Sequence, residues 1–522
     1  MTERHDVIVI GAGHNGLVCA ATLAKAGRKV LVLERASHAG GAAHTRDFAP
    51  GFSVSAGAHL LTHFPQDLIT ELQLQRHGLR FAATDLASVH LQTDGRHLVL
   101  DGPHASATDL SAEDAQAYAA FHADTASYAA ILASAFGRRP PRLVDSDWHD
   151  RLGMLKLAWD IRSLGRDRMR EVLRIGLMNI HDLATESFTD GRVRSAVAFD
   201  AILGTGMGPR APNTVMSYLY RRTADAFGRR GPALPTGGMG AFAEALQACA
   251  VARGVDIRLQ TEVKCLRIED GRATGVVLES GELLSAGTVV SNADPRSTLK
   301  DLVGYRELDA GVVRRVEGIR MRGMAAKLHL ALDALPNIPG LNPARLGNRL
   351  VISASLEGIE EAMNASKYKQ FSPEPVIEFC IPTLHDASLA PSTKHVLSAI
   401  VQYAPVDLAG GWTEAARAEF LARCMARFET VAPGIGALVS ASELLLPPDL
   451  EREFGMSGGH WHHGEISVDQ LLMMRPIVLH AQYAMPVEGL WLCGAGAHPG
   501  GGVMGLAGRN CAREILRGRP RA

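Results

Sequence analysis

Histidines are the residues of this chain whose spacing could support proton transfer or metal binding. His460, His462 and His463 stand within four positions, and His498 immediately precedes a proline and a run of glycines. An imidazole can act as a general base near neutral pH or as a metal ligand. No cysteine stands near the first three to complete a metal site with them. We therefore expect no metal and treat these histidines as candidates for acid–base chemistry.

A second group of residues has the spacing of a dinucleotide site. Gly11, Gly13 and Gly16 follow G-x-G-x-x-G spacing between a short apolar run and an alanine-rich segment typical of a helix. These glycines permit a tight turn, the approach of a pyrophosphate, and close packing of helix on strand. Glu34 ends the next apolar run, where a carboxylate can accept both hydrogens of an adenosine ribose diol. The residues predicted to contact this half of the cofactor are Gly11, Gly13, His14, Asn15, Gly16, Glu34 and Arg35.

This unit alone fits NAD or FAD, and the residues that follow favour FAD. Gly40, Gly41 and Ala42 open irregular, glycine-rich sequence where an NAD domain would continue with a helix and a strand. FAD enzymes of the glutathione-reductase type extend the fingerprint in this way, with the glycine pair near the second phosphate. A predicted β-meander completes such a domain, and we expect Val263 to contact the adenine. Asn292, after a later apolar strand, is a further predicted contact.

The segment "GAGAHPGGGVMGLAGRNCAREIL" near the C-terminus predicts the flavin end of the same site. Glycines between a strand and a helix, predicted from about Val503, would let the backbone lie against the isoalloxazine ring. The positive end of the helix would stabilise the negative charge that collects on reduction. The predicted contacts are Gly494, Gly496, Gly501, Gly502, Val503 and Met504. The two ends of the chain must therefore meet in one domain.

These motifs resemble the phytoene-desaturase branch of FAD-dependent oxidoreductases, within the flavin amine oxidase superfamily. The matching pieces include "VIGAGHNGL", "GGAA", "PTGGMG", "VVSNADP" and "AHPGGGVMGLAGRNCA", and they extend from Asp6 to Ile515. The stretch "GGHWHHGEISVDQLLMMRP" is similar to one in the branch of pyridine nucleotide-disulfide oxidoreductase domain-containing protein 2. Ala42 stands where carotenoid desaturases and amine oxidases often have an arginine.

The resemblance implies an enzyme that transfers a hydride between an organic substrate and flavin N5, in an oxidation, desaturation or isomerisation. It implies a small-molecule and largely apolar substrate, with oxygen or a quinone as electron acceptor. His463 is the favoured substrate-side residue because the motif of the family carries it. His498 is predicted to lie beside the flavin, and His59 is the third catalytic candidate.

The elements that must position these residues predict an α/β fold. We expect a glutathione-reductase-type FAD-binding Rossmann domain, a second α+β substrate domain and a helical cap. The predicted FAD-binding domain consists of residues 1–65, 231–300 and 476–522. A helical cap and substrate segment is predicted for residues 66–230, and the sheet and helices of the substrate domain for residues 301–475.

Composition excludes several other classes of protein. The chain has 522 residues and a net charge of −1 at pH 7, so we expect no nucleic-acid partner. Its seven cysteines include no C-x-x-C pair, which disfavours a disulfide framework, a thiol redox centre or a zinc ribbon. No apolar run reaches the ~18 residues of a membrane-spanning helix. A cytoplasmic location is expected.

One segment raises the question of contact with a membrane surface. Arg138 to Arg174 contain ten Lys or Arg residues against six Asp or Glu, with apolar residues at helical spacing between them. A solvated face of the cap explains this pattern, and so does a basic amphipathic segment lying on an anionic membrane. We prefer the first explanation and keep the second.

Two other functions stay open at this point. A flavin amine oxidase would need an aromatic cage at N5 and often a lysine-bound water, and only 5% of the residues are aromatic. A flavin-bearing interaction protein with little turnover is the third candidate. The sequence does not choose an oligomeric state.

Overall fold

The computed structural model describes residues 5–353 and 355–518. Its strands are β1 (His5–Ile10), β2 (Val30–Leu33), β3 (Thr45–Ala49), β4 (Phe52–Ser55), β5 (Phe81–Ala83), β6 (Ser88–Leu91), β7 (Leu98–Asp101), β8 (His104–Ser106), β9 (Leu234–Pro235), β10 (Asp256–Arg258), β11 (Val263–Glu269), β12 (Arg272–Leu278), β13 (Leu283–Ser291), β14 (Ala325–Leu332), β15 (Arg349–Ile352), β16 (Val376–Cys380), β17 (His395–Gln402), β18 (Val439–Leu445) and β19 (Leu490–Leu492). Its α-helices are α1 (His14–Lys25), α2 (Gln66–Glu71), α3 (Ala112–Phe136), α4 (Trp148–Ser163), α5 (Arg166–Ile175), α6 (Ile180–Ser187), α7 (Gly191–Ile202), α8 (Thr214–Ala226), α9 (Gly238–Ala252), α10 (Ala310–Glu317), α11 (Leu356–Lys367), α12 (Glu414–Val431), α13 (Pro447–Phe454) and α14 (Leu506–Leu516).

The first sheet joins both ends of the chain. β10, β2, β1 and β13 are parallel neighbours in that order, β19 runs parallel to β13, and β11 and β12 extend the sheet as an antiparallel meander. Every residue of β2 is buried, because a parallel strand covered on both faces needs a continuous apolar run. The predicted Rossmann-type domain and its meander are confirmed by this topology.

Helices α1 and α14 pack against each other over this sheet. An added Cβ at Gly508 of α14 would collide with the backbone oxygen of Asn15 at the start of α1. The C-terminal helix begins at Leu506 rather than near Val503, since Val503 and Gly505 both have left-handed backbone angles. The glycine-rich turn is therefore longer than the sequence predicts.

The second sheet has the order β18, β14, β17, β16, β15, β6, β7 and β8. Strands β6, β7 and β8 come from the segment predicted to form the cap, so that segment also supplies one edge of the substrate sheet. Helix α12 covers one face of the sheet through its buried side chains Phe420, Cys424 and Phe428.

Helices α3 to α8 form the cap, with a core that includes Tyr118, Phe136 and Phe199. Residues on either side of the predicted domain limits pack into the core of the first sheet, among them Leu68 of α2 and Val316 of α10. The limits of the five predicted segments stay predictions. None of the helices within the described ranges is long and apolar enough to span a bilayer.

Candidate active site

A cavity of about 560 Å³ is lined by residues of the first sheet, the second sheet and the C-terminal turn. The predicted site residues that line it are Gly11, Gly13, His14, Asn15, Glu34, Arg35, Gly40, Gly41, Ala42, His59, Val263, Asn292, His463, Gly502 and Val503. The predicted site residues outside its wall are Gly16, Gly494, Gly496, His498, Gly501 and Met504. The structure thus brings together residues from three distant parts of the sequence.

The N-terminal turn forms one end of the cavity. Gly11 has a φ of +95°, a conformation that glycine adopts without strain. A Cβ at Gly13 would lie 2.6 Å from the side-chain nitrogen of Asn292. A Cβ at Gly16 would collide with the carbonyl oxygen of Gly11. Gly16 therefore allows the close packing of turn and helix, while Gly11 and Gly13 present backbone to the cavity.

Glu34 is held in place by backbone groups on both sides. Its Oε2 accepts the N–H of Ala12 at 2.7 Å, and its Oε1 accepts the N–H of Ala36 at 2.9 Å. Each carboxylate oxygen can accept a further hydrogen bond. The carboxylate at the end of β2 therefore fits the ribose diol that the sequence predicts.

The N-terminus of α1 carries polar atoms without partners. His14 Nε2 and Asn15 Oδ1 are buried and have no hydrogen-bond partner in the part of the chain that the structure describes. Burial, and next the proximity of His463, lower the pKa of His14 to about 4. A neutral imidazole can donate one hydrogen bond, and the helix end favours an anion. The imidazole of His14 and the N–H groups at the start of α1 fit the pyrophosphate of a dinucleotide, whereas Asn15 Oδ1 is an acceptor and needs a donor instead.

The C-terminal turn forms a second part of the cavity wall, separate from the N-terminal turn. Gly502 and Val503 line the cavity. Gly501 instead faces the histidine loop, where its added Cβ would lie 2.6 Å from His462 Nδ1, and its carbonyl accepts the hydroxyl of Tyr220 at 2.7 Å. Close packing against protein explains this glycine, and its direct contact with the cofactor stays a prediction.

Gly494 and Gly496 also lie outside the cavity wall, because they pack against the segment after β13. A Cβ at Gly494 would lie 2.6 Å from the carbonyl oxygen of Asn292, and one at Gly496 would collide with Pro295. Met504 is buried in the core of the cap. Packing against protein explains these three positions, and their contact with the cofactor stays a prediction.

His498 is also outside the cavity wall, and its place beside the flavin stays a prediction. Its Nε2 donates to the carbonyl of Ala135 at 3.2 Å, and its ring lies edge-on to Phe136. The residue is completely buried. His498 therefore anchors the C-terminal segment to α3 of the cap.

The loop around His462 is held by Arg475, a residue outside the set predicted from the sequence. Its guanidinium donates to the carbonyls of His462, Gly464, Glu465, Gln470 and Ala495. Burial lowers the pKa of Arg475 to about 10, so the group stays charged at pH 7. Through these bonds one side chain joins the histidine loop to the strand end before the C-terminal turn.

His462 and His463 line the cavity as neutral imidazoles. The Nδ1 atom of each is buried and lacks a hydrogen-bond partner among the described residues. Burial lowers the pKa of His463 to about 4 and that of His462 well below its usual value. His463 lies near His14, whose pKa it lowers, and near Asp294, whose carboxylate partly offsets the effect of burial on the pKa of His463. His462 lies against Gly501.

Charged side chains of the second sheet form the far wall of the cavity. Lys327 on β14 and Glu378 on β16 are buried, and Arg221 comes from α8. His59 places Nε2 3.2 Å from Glu378 Oε1 and Nδ1 3.4 Å from Ser398 Oγ. The charged residues within the apolar runs "AAKLHLAL" and "VIEFC" were the signal in the sequence.

Comparison with known proteins agrees with this geometry. The family model of flavin containing amine oxidoreductase matches residues 16–516. The chain is 33% identical to "Pyridine nucleotide-disulfide oxidoreductase domain-containing protein 2" of Mus musculus, over 99% of this chain and 94% of the relative. It is 25% identical to "Phytoene desaturase (neurosporene-forming)" of Cereibacter sphaeroides, over 97% of this chain and 93% of the relative.

The fold also matches solved structures. A putrescine oxidase bound to putrescine superposes with a TM-score of 0.59 at 15% identity, over 99% of this chain and 100% of the oxidase. The predicted α/β fold, the resemblance and the cofactor are confirmed. The chain belongs to the flavin containing amine oxidoreductase family and is an FAD-dependent oxidoreductase, similar to the phytoene desaturases.

Proposed function

We propose that the enzyme removes a hydride from a carbon of a largely apolar small molecule and a proton from the neighbouring atom, which leaves a new double bond. FAD, when bound, supplies the hydride acceptor at N5 and returns the electrons to oxygen or a quinone. One observation carries this proposal: the cavity is continuous from Glu34, past Gly502, to Leu203 and Ile400 beyond the dinucleotide end. The substrate would enter this second part.

The chain itself would position the substrate and accept the proton. The neutral His463 has an Nδ1 without a hydrogen-bond partner among the described residues, which suits it to bind the cofactor or, as a weak base, to take a proton, whereas His462 Nδ1 lies against Gly501. His59 is less suited because both its ring nitrogens face Glu378 and Ser398. Trp461, packed against Gly204, would exclude water from this part of the cavity.

Anaerobic reduction of the bound flavin tests the proposed reaction. The purified yellow protein is mixed with polyene precursors, alcohols and amines, and the loss of visible absorbance is followed. We expect bleaching by an apolar polyene precursor or alcohol, and slower bleaching at unchanged flavin content in His463→Asn. Bleaching by amines alone would establish amine oxidation instead. A flavin that no compound reduces would indicate an interaction protein.

We further propose that α4 and α5 place the enzyme on an anionic membrane surface. Trp148, Leu152, Leu155 and Trp159 recur every three to four residues on α4, and the two tryptophans are 61% and 71% exposed. Further exposed apolar side chains of this region are Leu143, Val144, Leu173 and Leu177. The local excess of Lys and Arg gives this region a positive charge, which an anionic membrane surface attracts.

Co-sedimentation with vesicles tests this surface. We expect the wild type to bind vesicles that contain phosphatidylglycerol and the variant Trp148→Ser/Trp159→Ser to bind roughly tenfold less, since each indole contributes apolar area at the interface. Tyr368→Ser, which removes a residue 76% exposed outside the cap, is the matched control and should bind like the wild type. Absence of wild-type binding would contradict membrane docking. A smaller oligomer in the double variant would also contradict it, because the two tryptophans would then belong to an interface between copies of the chain.

A further inference from the structure

The far wall of the cavity contains a buried cluster of charges. Arg349, almost fully buried, donates to Glu378 and, at 2.6 Å, to Asp200. Arg221 donates to Glu378 at 3.1 Å and lies 3.4 Å from Asp200. Both carboxylates are therefore shared between the same two arginines. Lys327 lies near Glu378 but does not form an ion pair with either carboxylate among the described residues.

Lys327 is 2% exposed, and its Nζ has no hydrogen-bond or ion-pair partner among residues 5–353 and 355–518. Burying a cation without a partner is costly, so such an amine either loses its proton or gains an anionic partner. Lys327 is also a wall residue of the cavity. Its amine is thus available to whatever occupies this end.

The other titratable groups around the cluster do not supply the missing charge. Burial lowers the pKa of His59 to about 4 and that of His90 to about 3, so both are neutral at pH 7. Burial raises the pKa of Cys380 to about 12, so its thiol stays protonated. With Lys327 charged, the cluster holds three cations, Arg221, Lys327 and Arg349, against the carboxylates of Asp200 and Glu378. One negative charge would balance it.

We propose that this end of the cavity binds a single carboxylate of the substrate, held by Lys327 with Arg221 beside it. The inference rests on the proposed function, because it names the substrate class of the same site: an apolar body with one carboxylate. A monoanion matches the single excess positive charge, whereas a phosphate monoester, with a charge of about −2, would leave the cluster with excess negative charge. Leu60, Leu203 and Ile400, which also line the cavity, would contact the apolar body.

The protonation equilibrium of Lys327 supports the assignment of a carboxylate to this end of the cavity. Burial lowers the pKa of Lys327 to about 7, so the amine can gain or lose its proton near neutral pH. A bound carboxylate would favour the charged form and be held more tightly for it.

Titration of the oxidised, FAD-loaded protein tests the subsite without turnover. Octanoate and 1-octanol are added separately, and the shift of the flavin absorbance gives each affinity. We expect octanoate to bind saturably and more tightly than the alcohol. Lys327→Met should weaken octanoate binding roughly 10- to 100-fold and leave 1-octanol unchanged, because only the charge-assisted contact is lost. Lys300→Met, at a lysine 50% exposed, is the matched control.

Three results would overturn the subsite: no saturable shift with octanoate, equal affinity for acid and alcohol, or equal losses for both in Lys327→Met. The negative charge of the reduced flavin is the other candidate partner of this lysine. In that case Lys327→Met would lower the flavin midpoint potential and leave octanoate affinity unchanged, which also contradicts the proposal. If octanoate binds as expected but no compound of the anaerobic panel reduces the flavin, the proposed hydride transfer is wrong and the carboxylate subsite is still supported.

Discussion

Gly508→Ala is expected to release FAD and destabilise the protein, although alanine is the better helix former by about 1 kcal/mol. The added methyl group would collide with the backbone oxygen of Asn15 and approach Cys19 N at 3.1 Å. Because both belong to α1, the helix pair must separate, and the turn that lines the cavity moves with it. We expect a loss of about 1–3 kcal/mol in the free energy of unfolding and a clear fall in flavin per protein.

Gly311→Ala is the matched control, since Gly311 also lies in a helix and an added Cβ there meets nothing within 4 Å. This variant should keep its flavin and be unchanged or slightly more stable. Flavin absorbance per protein and urea unfolding measure both effects. Full flavin content and wild-type stability in Gly508→Ala would show that the first and last helices do not meet as described.

Arg475→Met is expected to have the larger effect on folding. The Arg475 side chain is almost fully buried and donates to the carbonyl of Ala495 at 2.9 Å, as well as to carbonyls of the histidine loop. Methionine would leave several buried carbonyls without a donor, at about 1–3 kcal/mol for each. We expect more than about 3 kcal/mol of destabilisation and little bound flavin, because the loop and the C-terminal turn lose their common anchor.

Arg322→Met is the control for Arg475→Met. Arg322 is 51% exposed and pairs with Asp407 at 2.8 Å on the surface, so its loss should cost less than about 1 kcal/mol. Arg475→Lys should fall between the two, since an ammonium cannot reach all the carbonyls that a guanidinium spans. Denaturant unfolding and flavin content measure the series. Equal stability of the two methionine variants would contradict the anchoring role of Arg475.

Much of the dinucleotide end could be predicted because its signals are local. A buried strand, a glycine turn, a helix and an acidic strand end follow one another within residues 5–34, and each fixes the geometry of the next. The meander and the C-terminal turn have the same kind of local pattern. The cavity accordingly includes Gly11, Glu34 and Gly502.

The sequence did not distinguish glycines that face the cavity from glycines that face protein. Gly501 and Gly502 are adjacent, yet one packs on His462 and the other lines the cavity. Both kinds of close approach exclude a side chain, so the residue type is the same. The apolar spacing on α4 likewise indicated a helix without showing that Trp148 and Trp159 stay exposed.

The sequence by itself determined the Rossmann-type core, its dinucleotide turn and the meeting of the two chain ends, because these follow from backbone geometry and short-range spacing. Only the tertiary structure decided that Lys327 lacks a partner among the described residues, that Arg475 joins two loops, and that His498 lies under the cap. A buried polar residue in an apolar strand signals a site. Its partners, however, come from elements far apart in the chain, and only packing brings them within hydrogen-bond distance.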